Sequence, residues 1–575
     1  MKNSLQYVAV ILVICISLMF TACHGSENIV KGSVEPGESG TDATVIEPAK
    51  ESEMFTERDS ETTCSEDDAV PVLLKDGATT IEDEHGTVDG DTVTLTGAGT
   101  YLISGSLTDG QIIVNAGDAD KLHLILRNVS VHCTGSAAIY IQNAAKVFLT
   151  LEDGTINTLE SGGDYTTNET ANIDAALYAK KDVTINGSGK LMVTSEKGHG
   201  IAVKADLVMM DGDFTVTGAK HAISAKNSIR IKSGTYELAA GTDALHAENA
   251  DDASRGFIYI ANGTFGIVAT SDGIDAASTL QIIDGSFNIS AGGKGIKATG
   301  DLLIAGGTCT VSSTDDSIHT NSSCSVTGGD LTLSTSDDGI HADANLTVSG
   351  GTILVLKSYE GLEGTSVDII SGVIDITASD DGVNAAGGSD ASGMQPGFPG
   401  GRQDAFQTDS NCYIQISGGE MTVNASGDGL DSNGSITVTG GRTFVSGSTS
   451  SADAALDYDG TGTVTGGIIV LCGSSGMAQN FGTASTQGSI LINYSSTSTA
   501  GITLNDSDNH TILTYQPLKA YNSVVVSAPS LQQGKTYTLI ACGKTQSITL
   551  SSLIYGSGGM GGGSPQPGGR PGGRP

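Results

Sequence analysis

Thr335–Val355 reads TSDDGIHADANLTVSGGTILV, and the stretch from Asp315 just before it, DDSIHTNSSCSVTGGDLTLSTS, carries nearly the same pattern. Each holds an acidic pair, a small residue, an aliphatic residue, and then two short alternating apolar runs split by Gly-Gly. Alternation with period 2 marks strands, and no helical period accompanies it. The glycine that closes the second run recurs at Gly212, Gly234, Gly263, Gly285, Gly307, Gly329, Gly351, Gly372, Gly419 and Gly441, in steps of 22, 29, 22, 22, 22, 22, 21, 47 and 22. Such a beat means that each unit buries its apolar face only by stacking on the next.

Three apolar columns run through the repeat. Five and three residues before the glycine stand pairs such as Leu207/Met209, Leu280/Ile282 and Cys324/Val326. Two and four residues after it stand Phe214/Val216, Phe287/Ile289, Cys309/Val311 and their equivalents. The third column is Ile201, Ile223, Leu245, Ile274, Ile296, Ile318, Ile340, Leu362, Val383, Leu430 and Leu456. Three strands with glycine at the corners make one triangular coil, and the coils should stack as a parallel β-helix with roughly 4.8 Å between them. The fold class is therefore all-β, with a helical solenoid excluded. Cys309 and Cys324 occupy inward positions and read as buried core thiols. The two long steps fit insertions at Asn249–Arg255 and near 387–410, where Gly and Pro mark a loop.

The chain has 575 residues with 28 basic and 65 acidic side chains, a net charge of −37. That balance argues against nucleic acid and against an anionic membrane surface as direct partners, and favours cations. Lys2 followed by the apolar run Val8–Phe20 reads as a signal peptide over residues 1–23. Its end, Phe20-Thr21-Ala22-Cys23, resembles the bacterial lipobox, with Cys23 the expected lipidation site. The expectation is an exported protein, lipid-anchored at the outer face of the membrane. Residues 24–70 hold 13 acidic and 3 basic residues, a composition that reads as an acidic disordered tether. The solenoid is expected over 71–555, with a C-terminal β cap over about 487–555, and 556–575 as a flexible Gly/Pro tail. The cysteines show no C-x-x-C spacing and imply no disulfide framework.

TGAGTYLISGSLTDGQIIVNAG (Thr96–Gly117) and KLHLILRNVSVHCTGSAAIYIQNAAKVFLTLEDGTINTLES (Lys121–Ser161), with the repeats and SVVVSAPSLQQGKTYTL (Ser523–Leu539), closely resemble the bacterial carbohydrate-binding β-helix family. Its members are exported and have a fold similar to pectate lyases. The resemblance covers roughly residues 70–575. It implies a right-handed β-helix, calcium sites along its side, and binding of pectic polysaccharide.

Two polar columns flank the third apolar one. Two residues before it stand His199, His221, Asp243, Asp272, Lys294, Asp316, Asp338, Glu360, Asp381 and Asp428; one residue after it stand His246, Asp275, Lys297, His319, His341, Glu363, Asn384, Asp431 and Asp457. Extra acids precede the first column at Asp315, Asp337 and Asp380. Carboxylates about 4.8 Å apart repel by roughly 1 kcal/mol in water and about 3.5 kcal/mol at an effective dielectric near 20. Protonation, a cation or a neighbouring base must offset that, and Ca2+ with its oxygen ligands fits. The candidate metal ligands are Asp243, Asp272, Asp275, Asp315, Asp316, Asp337, Asp338, Glu360, Glu363, Asp380, Asp381, Asp428 and Asp431. Asp-Gly also makes good turns, which accounts for one acid per corner but not for two. The histidines at 246, 319 and 341 are expected to hydrogen-bond the column.

There is no tryptophan, which leaves little to stack neutral sugars on. A polyuronate bridged to protein carboxylates by calcium suits the charge better. The expected function is therefore calcium-dependent, non-catalytic binding of an acidic cell-wall polysaccharide such as pectate by a monomeric surface protein. Two alternatives stand beside it: a pectate lyase using Lys297 or Lys294 as base, and a bare structural stalk.

Overall fold

The computed structural model describes residues 44–63, 69–82, 84–162, 165, 173–386 and 409–556. The signal segment, Cys23, the first part of the expected tether, most of the 387–410 loop and the C-terminal tail lie outside the described residues.

Three parallel sheets, here A, B and C, form the faces of a solenoid. Sheet A joins His199–Val203, Ile223–Ala225 and Leu245–Ala247 to their successors, with the third apolar column in register: Ile201 beside Ile223, Ile223 beside Leu245, and on to Val383 beside Leu430. Sheet B stacks Asp206–Met209 on Ser228–Ile231 and sheet C stacks Asp213–Gly218 on Thr235–Ala240, again in register. Side-chain alternation turns one set of residues inward in every coil. The coil from Ile274 buries Ile274, Ala276, Leu280, Ile282, Phe287 and Ile289, each large side chain contributing about 1.5–3 kcal/mol relative to exposure. Identical register stacks like on like. Phe214, Tyr236, Phe265 and Phe287 lie face to face at centroid spacings of 4.9, 4.7 and 4.7 Å. Cys309 and Cys324 are buried in these inward columns, as expected.

The glycines hold two different jobs. The periodic ones adopt positive φ, as at Gly351 (82°), where a Cβ would also meet the Gly329 carbonyl oxygen at 2.6 Å. The glycine of Asp-Asp-Gly does not bend the chain in this way. Gly339 is absent from the positive-φ set, and what requires it is close packing: a Cβ there would meet the Gly361 oxygen at 2.5 Å. The corner is shaped by coil stacking, not by a left-handed turn.

At the C-terminal end, Ile468–Gly473 pairs antiparallel with Tyr521–Ser527, which ends the parallel stack. Antiparallel strands Ile502–Asn505, Thr511–Tyr515, Thr536–Ala541 and Lys544–Thr549 pack their own core of Leu504, Leu539 and Ile548 over that end. Covering the last coil removes an open edge that would template aggregation.

One sequence expectation needs correction. The tether expected over 24–70 is not a free segment over residues 44–63, which lie along the outer face of sheet B. Ile46 N–H donates to Ser325 Oγ (3.0 Å), Ala49 N–H to Gln281 Oε1 (2.8 Å), and Arg230 to the Met54 carbonyl (3.1 Å). Phe55 packs edge-on against Tyr259 in a satellite core with Val208 and Met210. Asp59 is buried, paired with Lys146 at 2.7 Å and accepting from Thr184 at 2.5 Å. Acidic composition hid two anchors, Phe55 and Asp59, whose partners lie far away in sequence.

Candidate cation and ligand stripe

The acid-rich residues before and after the third apolar column form one stripe along sheet A and the corner leading into it from sheet C. At that corner one carboxylate oxygen serves the fold. Asp243 Oδ1 accepts from the Asp272 amide (2.9 Å), Asp272 from Lys294 (2.8 Å), Asp316 from Asp338 (3.0 Å), Asp338 from Glu360 (3.1 Å), and Asp381 from Asp428 (2.5 Å). Asp428 Oδ1 likewise accepts from the Ala454 amide. Each aspartate thus ties its own coil to the next, which satisfies a backbone donor at the bend.

The second oxygen meets different surroundings along the stripe. In the lower coils it faces a base. Asp243 Oδ2 lies 3.2 Å from His221 Nδ1 and 3.3 Å from His246 Nδ1, and His246 also reaches Asp275 at 3.0 Å. Burial pushes the Asp243 carboxyl up, but the hydrogen bonds from His221, His246 and the Asp272 amide outweigh it and hold it well below the carboxylate range. Burial likewise opposes the His246 imidazolium, and Asp243 and Asp275 overcome it and lift it to about 9. Lys297 Nζ sits 3.2 Å from both Asp272 and Asp275, and Lys294 Nζ is 2.8 Å from Asp315 and 2.6 Å from Asp316. Burial raises Asp316, yet His319 (2.8 Å) and Lys294 bring it down to about 2. His341 is fully enclosed, 2.6 Å from Glu363 and 3.0 Å from Asp343; burial disfavours its charge, but Asp338 and Glu363 raise it to about 11.

Above His341 neither column holds a His, Lys or Arg. The two columns there read Glu360, Asp381, Asp428 and Glu363, Asn384, Asp431, Asp457. Asp381, Asp428 and Asp431 bring carboxylate oxygens within 4.8 Å of one another. Burial, reinforced by Asp381 and Asp457, pushes Asp428 up to about 8. Burial with Asp381, Asp428 and Asp457 drives Asp431 well above the carboxylate range, and Glu360 rises in the same way through burial and Glu363. Asn384, in register between Glu363 and Asp431, gives its amide N–H to Glu360 at 2.7 Å. Its Oδ1 is buried without a hydrogen-bond partner among the described residues.

The expected ligand residues are therefore on one stripe but in two chemical situations. Asp243, Asp272, Asp275, Asp315, Asp316, Asp338 and Glu363 carry ion pairs with His or Lys. Asp337 joins Asp315 and Asp316 in a cluster that Lys294 already serves. Asp381, Asp428 and Asp431 form the cluster without a base in either column. Asn384 is neutral and so is not among the expected ligands; its place one residue after Val383, in register with Glu363, is the signal the sequence offers. Lys294 and Lys297 do not suit the alternative role of proton-abstracting base. Burial lowers both ammonium groups, but Asp316 and Asp315, and Asp275 and Asp272, outweigh it and hold them above the ordinary lysine range.

Among known proteins, a solved polysaccharide lyase-like protein from C. thermocellum aligns at TM-score 0.40 and 31% identity, over 41% of this chain and 97% of that one. A carbohydrate-binding domain-containing protein of Acetivibrio thermocellus is 36% identical over 126 residues, 22% of this chain. The chain spans 44% of that relative's length. Residues 89–339, the first coils and the lower part of the stripe, match the family described as carbohydrate-binding domain-containing protein.

Proposed function

We propose that the protein is a non-catalytic binder of acidic polysaccharide that uses Ca2+ held by Asp381, Asp428 and Asp431, with Asn384 Oδ1 as a further oxygen donor. The match of residues 89–339 to a carbohydrate-binding family supports the polysaccharide partner. The observation that carries the cation is the buried Asn384 oxygen, which has no hydrogen-bond partner among the described residues and stands in register with Asp431. Unpaired buried acceptors are rare in folded proteins and call for an ion or water. An all-oxygen donor set suits a hard cation such as calcium. Bound calcium would let a protein of net charge −37 accept a sugar carboxylate, because it supplies the positive charge between the two. We also read Cys23 as a lipid anchor on the cell surface; metabolic labelling with a fatty acid, lost in Cys23→Ser, tests that reading.

The central test is affinity electrophoresis in polygalacturonate, run with calcium and with chelator, beside calcium calorimetry. Calcium-enhanced retention that Asp428→Asn/Asp431→Asn abolishes is the expected result. Absence of calcium heat together with equal retention in chelator would overturn the bridging mechanism. Absence of retention under any condition would leave a structural stalk.

A further inference from the structure

The chain's charge is not evenly spread. Residues 121–232 hold 12 of the 28 basic residues against 11 acidic ones, whereas 233–556 hold 9 basic and 32 acidic. In the basic-rich coils three lysines occupy the same corner, between sheets A and B. The amides of Lys180, Lys204 and Lys226 donate to the carbonyls of Ile141, Ala179 and Val203, each one coil below, at 2.9, 2.7 and 2.8 Å. Their side chains therefore start roughly 4.8 Å apart along the solenoid axis. In the next three coils Glu248, Ala277 and Thr299 take that position through the same hydrogen bond, so the ladder is three rungs long. Lys181 adjoins it.

These lysines are open to solvent. Lys226 is exposed and has no ion pair among the described residues, and Lys204 and Lys181 keep about a third of their side chains accessible (31% and 35%) while reaching Glu248 at 3.1 Å and Asp118 at 3.5 Å. Lys180 Nζ lies 5.7 Å from the ring centre of Tyr140, which packs against Tyr178 on the outer side of sheet A. The carboxylates of the stripe stand in other coils: in the three lysine coils its two columns are Ala175, His199 and His221, and Tyr178, Ala202 and Ser224. The lysine corner thus presents local positive charge in spite of the acidic whole.

We propose that Lys180, Lys204 and Lys226 form a polyanion-binding ridge that takes a carboxylate-bearing polysaccharide strand lying parallel to the solenoid axis, without a bridging cation. The inference rests on the polysaccharide reading above but not on its calcium. A polyuronate suits the ladder because it carries one carboxylate per sugar, and a 1→4-linked sugar advances by about one coil. Each lysine acts as a solvated point charge, so binding through the ridge weakens as salt rises.

The test is polygalacturonate affinity electrophoresis in chelator, at low and high salt. Wild type should keep a chelator-resistant retention that salt removes. Lys180→Glu/Lys204→Glu/Lys226→Glu should weaken that fraction at least tenfold, Lys→Arg at the three positions should preserve it, and Asp428→Asn/Asp431→Asn should leave it unchanged. Lys→Gln at the three positions, checked for an unchanged melting profile, separates lost charge from misfolding. Retention confined to calcium overturns the ridge and leaves the calcium reading standing; retention confined to chelator-resistant binding does the reverse. Sedimentation with anionic phospholipid vesicles, lost in the Lys→Glu protein, in the absence of polygalacturonate retention would assign the ridge to a membrane surface and overturn the proposal.

Discussion

The coils carrying Asp243 to His341 and those carrying Glu360 to Asp457 have the same corner aspartates and the same side-chain-to-amide hydrogen bonds. They differ in what stands beside each carboxylate. Below, His246, Lys294, Lys297, His319 and His341 are interleaved with the acids; above, the neutral residue in the columns is Asn384. The fold places the carboxylates, and on the proposed reading the interleaved residues decide whether the stripe neutralises itself or takes a cation from outside. Lys294→Met breaks that difference most directly. Removing one partner of a buried pair costs about 3–5 kcal/mol, and Asp316 is fully buried under Lys294. The variant should lose amide protection around Ile296 and Ile318 in chelator, and calcium should restore part of it, because Asp315, Asp316 and Asp337 then resemble the upper cluster. Hydrogen exchange reads the local effect that a solenoid's global melting would average out. Indifference to calcium would show that geometry, and not missing charge, separates the two regions.

Withdrawing calcium from the wild type comes next in size. A ligand at a hundred times its Kd stabilises by about 2.7 kcal/mol. The protection should be lost around Val383 and Leu430 and unchanged around Ile274. Asp431→Asn should abolish the difference, whereas Asp275→Asn should leave it in place.

The upper cluster and Asp316 should answer pH with opposite signs, whereas Asp338, raised by burial and Glu363 against the pull of His341, should side with the upper cluster. Burial raises Asp428 from 3.8 to about 8 in the folded state. The folded form therefore binds more protons than the unfolded one across that interval, and calcium-free stability of the upper coils falls as pH rises from about 4 to about 8. Asp316 is lowered from 3.8 to about 2 by His319 and Lys294 against burial, so its contribution is intact above pH 4 and lost as pH falls toward 2. Exchange protection measured in chelator at pH 5 and pH 7 should fall in the upper coils and hold around Asp316. Calcium should flatten the upper response.

The solenoid was readable because its signals are local and repeated: alternation sets the face, the 22-residue step sets the register, and stacked Phe214, Tyr236, Phe265 and Phe287 follow from both. The stripe was readable in position for the same reason. Its division was not, because the state of Asp243 depends on His221 one coil below and that of Asp428 on Asp381 and Asp457 in two other coils. The docking of 44–63 escaped because Asp59 finds Lys146 and Thr184 across more than eighty residues, a pairing that composition cannot reveal. The family match covers 89–339, and the upper cluster lies beyond that matched segment.

The smallest effect concerns the doubled acids, the feature of the sequence that turn chemistry left over. The second acid of each pair holds the coil-to-coil hydrogen bond: Asp316, Asp338 and Asp381 each accept from the next corner's amide. The first acid is half-buried in each case. Asp315 is paired with Lys294; Asp380 stands in the coil of Asp381. Asp337→Asn takes one half-buried charge from a cluster that Lys294 already serves; it should shift stability by no more than about 0.5 kcal/mol, the scale of a partly exposed charge, and should not change calcium affinity in calorimetry. Asp380→Asn should leave folding equally untouched but weaken calcium about twofold, through a lost neighbouring charge instead of a lost ligand. If Asp337→Asn weakened calcium as much as Asp380→Asn, the cation would be served by the doubled acids along the whole stripe. The interleaved histidines and lysines would then be accessory, and the division between the two regions would fail at its origin.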